Sequence, residues 1–276
     1  MNYFRFVALG DSQTEGLNDL APDGSPRGWA DRFAERLAAT SSPQLQYANL
    51  AVRRCRAAHV RHVQLPAALS LQPDLAAVAV GMNDVLRHDF DLESAARDIE
   101  ETVAALRDTG CDVLTMTFPD IGRMIPSMRW LRAREVALNE RITRIARRYD
   151  VALLDLFPLA MCGDRRLWSH DRIHGSSEGH WRIAAGIAEL AGLPGADAGW
   201  RRLEPSSRRT GRAGALARDG HWALTFMAPW LGRQLGRRLL GRAPGAAPVA
   251  KRPALTPVLA VRPTGRAAAS AAGAAT

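Results

Sequence analysis

In the first part of the chain, short apolar runs alternate with stretches of helical period. Phe4–Leu9 has the length of a strand, and Trp29–Ala39 follows with its apolar positions on one helical face. Leu45–Leu50 predicts a second strand, with a mixed segment to about Leu71. Leu75–Val80 is continuously apolar, the pattern of a strand covered on both faces. Asp91 is placed to cap a helix through Ala95, Ile99, Val103 and Leu106 that ends near Gly110. Val113–Thr117 predicts a strand, Met128–Tyr149 a long basic helix and Val151–Leu154 a last strand. Ser176 or Ser177 then starts a helix to about Leu190. This alternation predicts an α/β fold, a parallel sheet with helices on both faces. No internal repeat is present.

After Gly195 the character changes. Residues 1–195 read as one globular domain, and 196–218, rich in arginine, serine and glycine, as a linker. Residues 219–242 regain apolar periodicity, broken at Pro229, and read as a helical extension. Residues 243–276 are rich in alanine, proline and glycine and are expected to be disordered.

Charge sharpens this division. Residues 1–194 carry 23 arginines against 25 Asp and Glu, a net of −2. Residues 195–276 carry 14 basic and 3 acidic residues, a net of +11. The basicity therefore belongs to the tail. The bland reading of 219–242 is a helix packed on the globular part. The alternative is weak contact with an anionic membrane surface through Trp222, Phe226, Trp230 and Leu231, beside Arg233, Arg237, Arg238 and Arg242. Arg238 and Arg242 fall near the leucines, so the amphipathicity is imperfect. No nucleic-acid partner is expected, because no base-stacking platform accompanies the arginines.

Cys55, Cys111 and Cys162 lack metal-ligand spacing and read as reduced thiols. No signal peptide opens the chain and no apolar stretch approaches a membrane span, so the expected location is the cytoplasm.

The chemistry gathers just beyond the strands. The first strand runs into Gly10-Asp11-Ser12, delivering a lone serine into a polar turn at the strand's C-terminal end. Open α/β sheets place their sites there. "NLAV" (49–52) follows the second strand and "GMND" (81–84) the third, while "DRIH" (171–174) precedes the last helix of the domain. A serine hydroxyl is a weak nucleophile that needs a base within hydrogen-bond reach, and His174 is the candidate. Asp171, from the same turn, can orient the imidazole and stabilise it once charged. The Asn83 amide and the N–H groups of Ser12 and Ala51 are candidate donors to a tetrahedral oxyanion.

Taken together, "GDSQTEG", "NLAV", "GMND" and "DRIH" resemble the blocks of the SGNH hydrolases, also called the GDSL esterase/lipase family. The resemblance covers roughly residues 4–190. It implies a flavodoxin-like α/β/α sandwich of about five parallel strands. It also implies hydrolysis of carboxylic esters through an acyl-serine intermediate, without metal or cofactor. By that resemblance Ser12 is nucleophile, His174 base and Asp171 its orienting acid, while Ser12, Ala51 and Asn83 form the oxyanion hole. The second block usually carries glycine where this chain has Ala51; a backbone N–H survives that change, and the added methyl narrows the acyl site.

The expected substrate is a small ester with a small or medium acyl group. The alternatives are a carbohydrate or metabolite O-deacetylase, a thioesterase, or a membrane-associated binding protein without catalysis. The full set Ser12, Asn83, Asp171 and His174 argues against the last. "GSSEG" (175–179) fits the nucleophile elbow of α/β-hydrolases, but no strand precedes it, and Ser177 reads as a helix cap. Asp11 and Asp84 read as turn-holding groups and His180 as structural. His59, His62, His88 and His170 form no ligand set. Trp168 is placed either to line a substrate pocket or to pack.

Overall fold

The computed structural model describes residues 2–203, 212–229, 232 and 249–258. They divide into one unit of residues 1–201 with 250–276 and a second of residues 202–249. In the first, β1 (Arg5–Gly10), β2 (Gln46–Asn49), β3 (Leu75–Ala79), β4 (Asp112–Met116), β5 (Ala152–Leu154) and β6 (Arg252–Pro257) form one sheet. Its order is β5-β4-β3-β1-β2-β6. β1 to β5 are all parallel, with Phe6 facing Tyr47 on one side and Leu75 on the other.

The two periods in the sequence explain the layers. Successive side chains of β1 point to opposite faces. Phe6 and Ala8 join a core with Trp29, Phe33, Leu37 and Ile187 from the Trp29–Thr40 and Ser177–Leu190 helices. Val7 and Leu9 join another with Ile99, Val103, Leu106, Leu138 and Ile142 from the Leu92–Asp108 and Arg132–Arg148 helices. Both faces of β1 and β3 are therefore covered, which is why their sequence runs show no alternation. Phe6 stacks on Tyr47 at 5.1 Å and meets Phe33 edge-on at 5.4 Å. Asp91 caps its helix as expected, accepting from the Glu93 and Ser94 N–H groups.

Past residue 195 the structure departs from the expectation in three places. Ala198–Arg201 forms a helical turn, and buried Trp200 donates through Nε1 to Glu189 Oε2 at 2.6 Å, so the globular unit reaches beyond Gly195. A helix, Arg212–Trp222, begins inside the expected linker and passes into a π-helical turn, Ala223–Met227. The expected disordered tail contains β6, which pairs antiparallel with β2. Its Pro253 and Pro257 are tolerated because an edge strand has one row of N–H groups with no ladder to complete. Lys251, the chain's sole lysine, fixes the entry to β6, donating to Asp31 Oδ2 (2.6 Å) and Pro26 O (2.9 Å). The rest of the expected extension and tail, including Trp230, Leu231, Arg233, Arg237, Arg238 and Arg242, lies outside the described residues. Among the described residues no helix is long and apolar enough to cross a membrane.

Candidate active site

Ser12 is the first residue of a short helix, Ser12–Glu15, entered directly from β1. Asp11 caps it, its Oδ1 accepting the Gln13 N–H at 3.1 Å. Gly16 ends it in the left-handed conformation (φ +88°), where a Cβ would come within 2.3 Å of Gly28 N. The turn is thus sterically pinned against the start of the Trp29–Thr40 helix. Glu15 anchors it on the other side, accepting the Arg53 N–H at 2.8 Å and pairing with the Arg53 guanidinium.

The loop carrying the other two groups is closed like a small hairpin. Trp168 bridges Gly175, Ser169 N–H donates to His174 O at 2.8 Å, and Ser176 N–H donates to Leu167 O at 2.9 Å. At its tip Arg172 adopts φ +61°, turning the chain so that Asp171 and His174 face each other.

These elements bring Ser12, His174 and Asp171 into one hydrogen-bonded line. Ser12 Oγ lies 2.8 Å from His174 Nε2, and His174 Nδ1 lies 2.6 Å from Asp171 Oδ2. Burial works to raise the Asp171 carboxyl. The hydrogen bond and charge of His174, with the N–H groups of His174 and Ile173, outweigh it and hold Asp171 well below the usual carboxylate range. An ionised Asp171 only accepts, so His174 Nδ1 carries the proton and Nε2 offers its lone pair to the serine hydroxyl. Asp171 Oδ1 also accepts from Ser169 Oγ (2.7 Å), Ile173 N–H (2.9 Å) and His174 N–H (3.0 Å), and Oδ2 from Asn18 Nδ2 (2.7 Å). This arrangement can take a proton from the serine and hold the resulting imidazolium.

The expected oxyanion donors fare differently. Ser12 N–H sits at the first position of a helix, where donors have no partner within the helix. Asn83 Nδ2 is beside the nucleophile's turn, donating to Cys55 O (3.0 Å) and to Asp11 Oδ2 at the longer distance of 3.2 Å. Ala51 is a correction. It is fully buried and its N–H donates to Asn49 Oδ1 at 3.1 Å, because Asn49 folds back over the end of β2. Three residues on, exposed Arg54 stands at φ +69°, between Arg53 on Glu15 and Cys55, whose Sγ lies 3.1 Å from Gly10 O. The Arg54 N–H makes none of the backbone hydrogen bonds holding this turn.

Neighbouring groups hold the frame. Burial pushes the Asp11 carboxyl up to about 6, against the Gln13 N–H and the charge of His174. Burial likewise raises Asp84 to about 6, while it accepts from the Ala57 N–H at 3.0 Å. His180 accepts the Trp29 N–H at 3.2 Å and is pushed down to about 4 by burial, a neutral packing group. Ser176, not Ser177, caps the last helix, and Ser177 Oγ donates to Asp19 Oδ1 at 2.6 Å. Sequence reasoning missed Gln13, Asn18 and Ser169. Gln13 Nε2 donates to Ile173 O (2.8 Å) and its Oε1 accepts the Gly175 N–H (3.3 Å), bracing the histidine loop. Among the described residues no three His, Cys, Asp or Glu gather as a metal site would.

A doubly wound sheet whose first strand ends in a serine hydrogen-bonded to a histidine–aspartate pair defines an α/β hydrolase class. The model of the GDSL-like Lipase/Acylhydrolase family matches residues 8–182. The chain belongs to that family and is a carboxylic ester hydrolase. Solved structures share the fold. Axe2, an acetylxylan esterase from Geobacillus stearothermophilus, is 17% identical with a TM-score of 0.57, over 73% of this chain and 97% of that one. LAE5, an alpha/beta hydrolase from the metagenome of Lake Arreo, Spain, is 21% identical with a TM-score of 0.56, over 68% and 95%. TesA is 21% identical with a TM-score of 0.54, over 67% and 97%. No curated protein sequence matches.

Proposed function

We propose that the protein cleaves carboxylic esters of small or medium acyl groups through an acyl-serine intermediate. The observation that carries this is the continuous line from Ser12 Oγ through His174 to Asp171. Ser12 Oγ attacks the carbonyl carbon as its proton passes to His174 Nε2. The tetrahedral oxyanion is held by the Ser12 N–H and by an Asn83 N–H released from its longer contact with Asp11. Arg54 takes the place expected of Ala51 as the second backbone donor, because its N–H is uncommitted among the described residues and its neighbours are tied to both sides of the nucleophile's turn. Collapse breaks the C–O bond, and Nε2 returns the proton to the leaving alkoxide. Water repeats the cycle and releases the acid.

Loss of one oxyanion donor typically costs about a hundred- to a thousandfold in rate, so the displaced Asn83 contact is worth making. Axe2 supports the assignment by analogy, since variants of it at a serine and at a histidine are described as catalytic mutants. The partner proposed is a small ester, and the setting the cytoplasm, which suits three buried cysteines that form no disulfide. Contact of the basic extension with a membrane surface belongs to the same proposal.

The test is turnover of p-nitrophenyl acetate. Ser12→Ala abolishes it while circular dichroism and thermal unfolding stay those of the parent. Undiminished turnover in that variant overturns the assignment. Matched oxygen and thiol esters and acetylated sugars then separate esterase, thioesterase and deacetylase.

A further inference from the structure

Arg54 is held in the left-handed region (φ +69°) beside the nucleophile's turn, and it is exposed. Among the described residues Asn18, Gln72, Asp150 and Arg172 share that conformation without being glycine. Gln72 and Asp150 follow the ends of helices, where it is ordinary. Asn18 holds Asp171, and Arg172 turns the histidine loop. At Arg54 the conformation aims a backbone N–H, and glycine would aim it without strain. The N–H alone therefore does not account for the side chain. Strained backbone of this kind gathers at ligand sites, held there by function.

The charges around Arg54 leave its guanidinium unmatched. Arg53 is taken by Glu15. Arg56 and Arg87 share one carboxylate, that of Asp89, at 3.5 and 3.1 Å. Asp11 and Asp84 are engaged beneath, Asp11 by the Gln13 N–H and Asn83, Asp84 by the Ala57 N–H. The Arg54 guanidinium has no partner among the described residues. An arginine side chain is shorter than the roughly 10 Å over which 0.1 M salt screens a charge. Whatever its rotamer, this one acts on an ester whose carbonyl oxygen faces the Arg54 N–H. Its planar fork of donors matches the paired oxygens of a carboxylate or phosphate.

Resting on the ester-hydrolase reading above, we propose that the Arg54 side chain sets specificity, recognising an anionic group, a carboxylate or phosphate, on the ester cleaved at Ser12. The anion belongs to either the acid or the alcohol half, and two matched pairs of substrates separate these. In the acid half, p-nitrophenyl hydrogen adipate is compared with the p-nitrophenyl ester of adipamic acid. In the alcohol half, 4-acetoxybenzoate is compared with 4-acetoxybenzamide. The members of each pair differ by one charge at nearly constant shape.

In the half that carries the anion, kcat/KM of the charged ester exceeds that of its neutral twin by about two- to fivefold at low salt, the scale of one exposed ion pair. The preference fades as salt rises to about 1 M, where screening acts within about 3 Å. Arg54→Gly abolishes it, and Arg54→Lys, which keeps the charge without the fork, retains part of it. The readout is the ratio within a pair, so a change in catalysis common to both esters cancels. Arg147→Ala removes an equal exposed charge from the helix that leads into the start of β5, at the other end of the strands, and leaves the ratio at its wild-type value.

Turnover of the esters with no preference in either pair overturns the role of Arg54 and leaves the esterase reading standing. So does a preference that survives in Arg54→Gly, folded by circular dichroism, or that falls equally in Arg147→Ala. A preference indifferent to salt overturns it as well, and that measurement on the wild type needs no variant to fold. Absence of turnover on every ester, p-nitrophenyl acetate included, overturns both readings.

Discussion

Gln13 and Ile173, 160 residues apart, are joined by a 2.8 Å hydrogen bond from Gln13 Nε2 to Ile173 O. The residue after the nucleophile thereby holds the residue before the base. Because catalysis is sensitive to misplacements of about 1 Å, Gln13→Ala should lower kcat by roughly ten- to a hundredfold. KM should change far less, since both polar ends of this side chain are committed to the histidine loop. Steady-state kinetics checks the split; a rise in KM at constant kcat contradicts the positioning role.

Asp171 links the site to pH. Its carboxyl lies below the ordinary range in the folded protein, so the unfolded chain binds its proton more tightly. The stability it contributes is complete above about pH 4 and is lost as pH falls through the depressed folded value. Asp171→Asn should remove that share of the acid sensitivity of urea unfolding. It should also lower kcat by about ten-thousandfold, through the wrong histidine tautomer. Asp11 and Asp84, both raised to about 6, act with the opposite sign, favouring the fold most where they are protonated and withdrawing that as pH climbs from about 4 to 6.

Arg54 stands at φ +69°, where a side chain is strained. Left-handed backbone costs a non-glycine residue about 1–2 kcal/mol. Arg54→Gly should therefore stabilise the protein by about 1 kcal/mol, less the extra freedom of glycine in the unfolded chain. Its backbone N–H is unchanged, so esterase activity should persist. The urea midpoint reads the first and p-nitrophenyl acetate turnover the second.

How much of this was legible follows from what each element displays in sequence. Leu75–Val80 announced β3 because burial on both faces leaves no polar position in the run. Ser12, Asp171 and His174 were legible because each abuts an element end, where chain-distant groups converge. Ala51 misled because the direction of an N–H depends on the dihedrals of residues 49–54, which composition does not encode. Gln13, Asn18 and Ser169 are polar loop residues with no period to mark them. β6 was hidden by its own composition, since Pro253 and Pro257 read as breakers unless the strand is known to lie on an edge. Trp200 was obscured by the arginines that follow it.

The role of that edge is also measurable. Lys251 and Asp31 are both largely shielded, and burial raises the Asp31 carboxyl even against the charge and hydrogen bond of Lys251. Lys251→Met should destabilise the protein by about 1–3 kcal/mol at pH 7, the range for a lost hydrogen bond to a charged group. A melting temperature equal to the parent's would show that β6 is held by its ladder alone.

The account rests on the hydroxyl of Ser12 being activated by His174. A fluorophosphonate probe, which reacts with activated serine hydroxyls, reads this directly when the labelled peptide is mapped by mass spectrometry. The adduct is predicted on Ser12, with labelling lost in Ser12→Ala and strongly slowed in His174→Ala. An adduct on another residue, or labelling that survives in both variants, would contradict it.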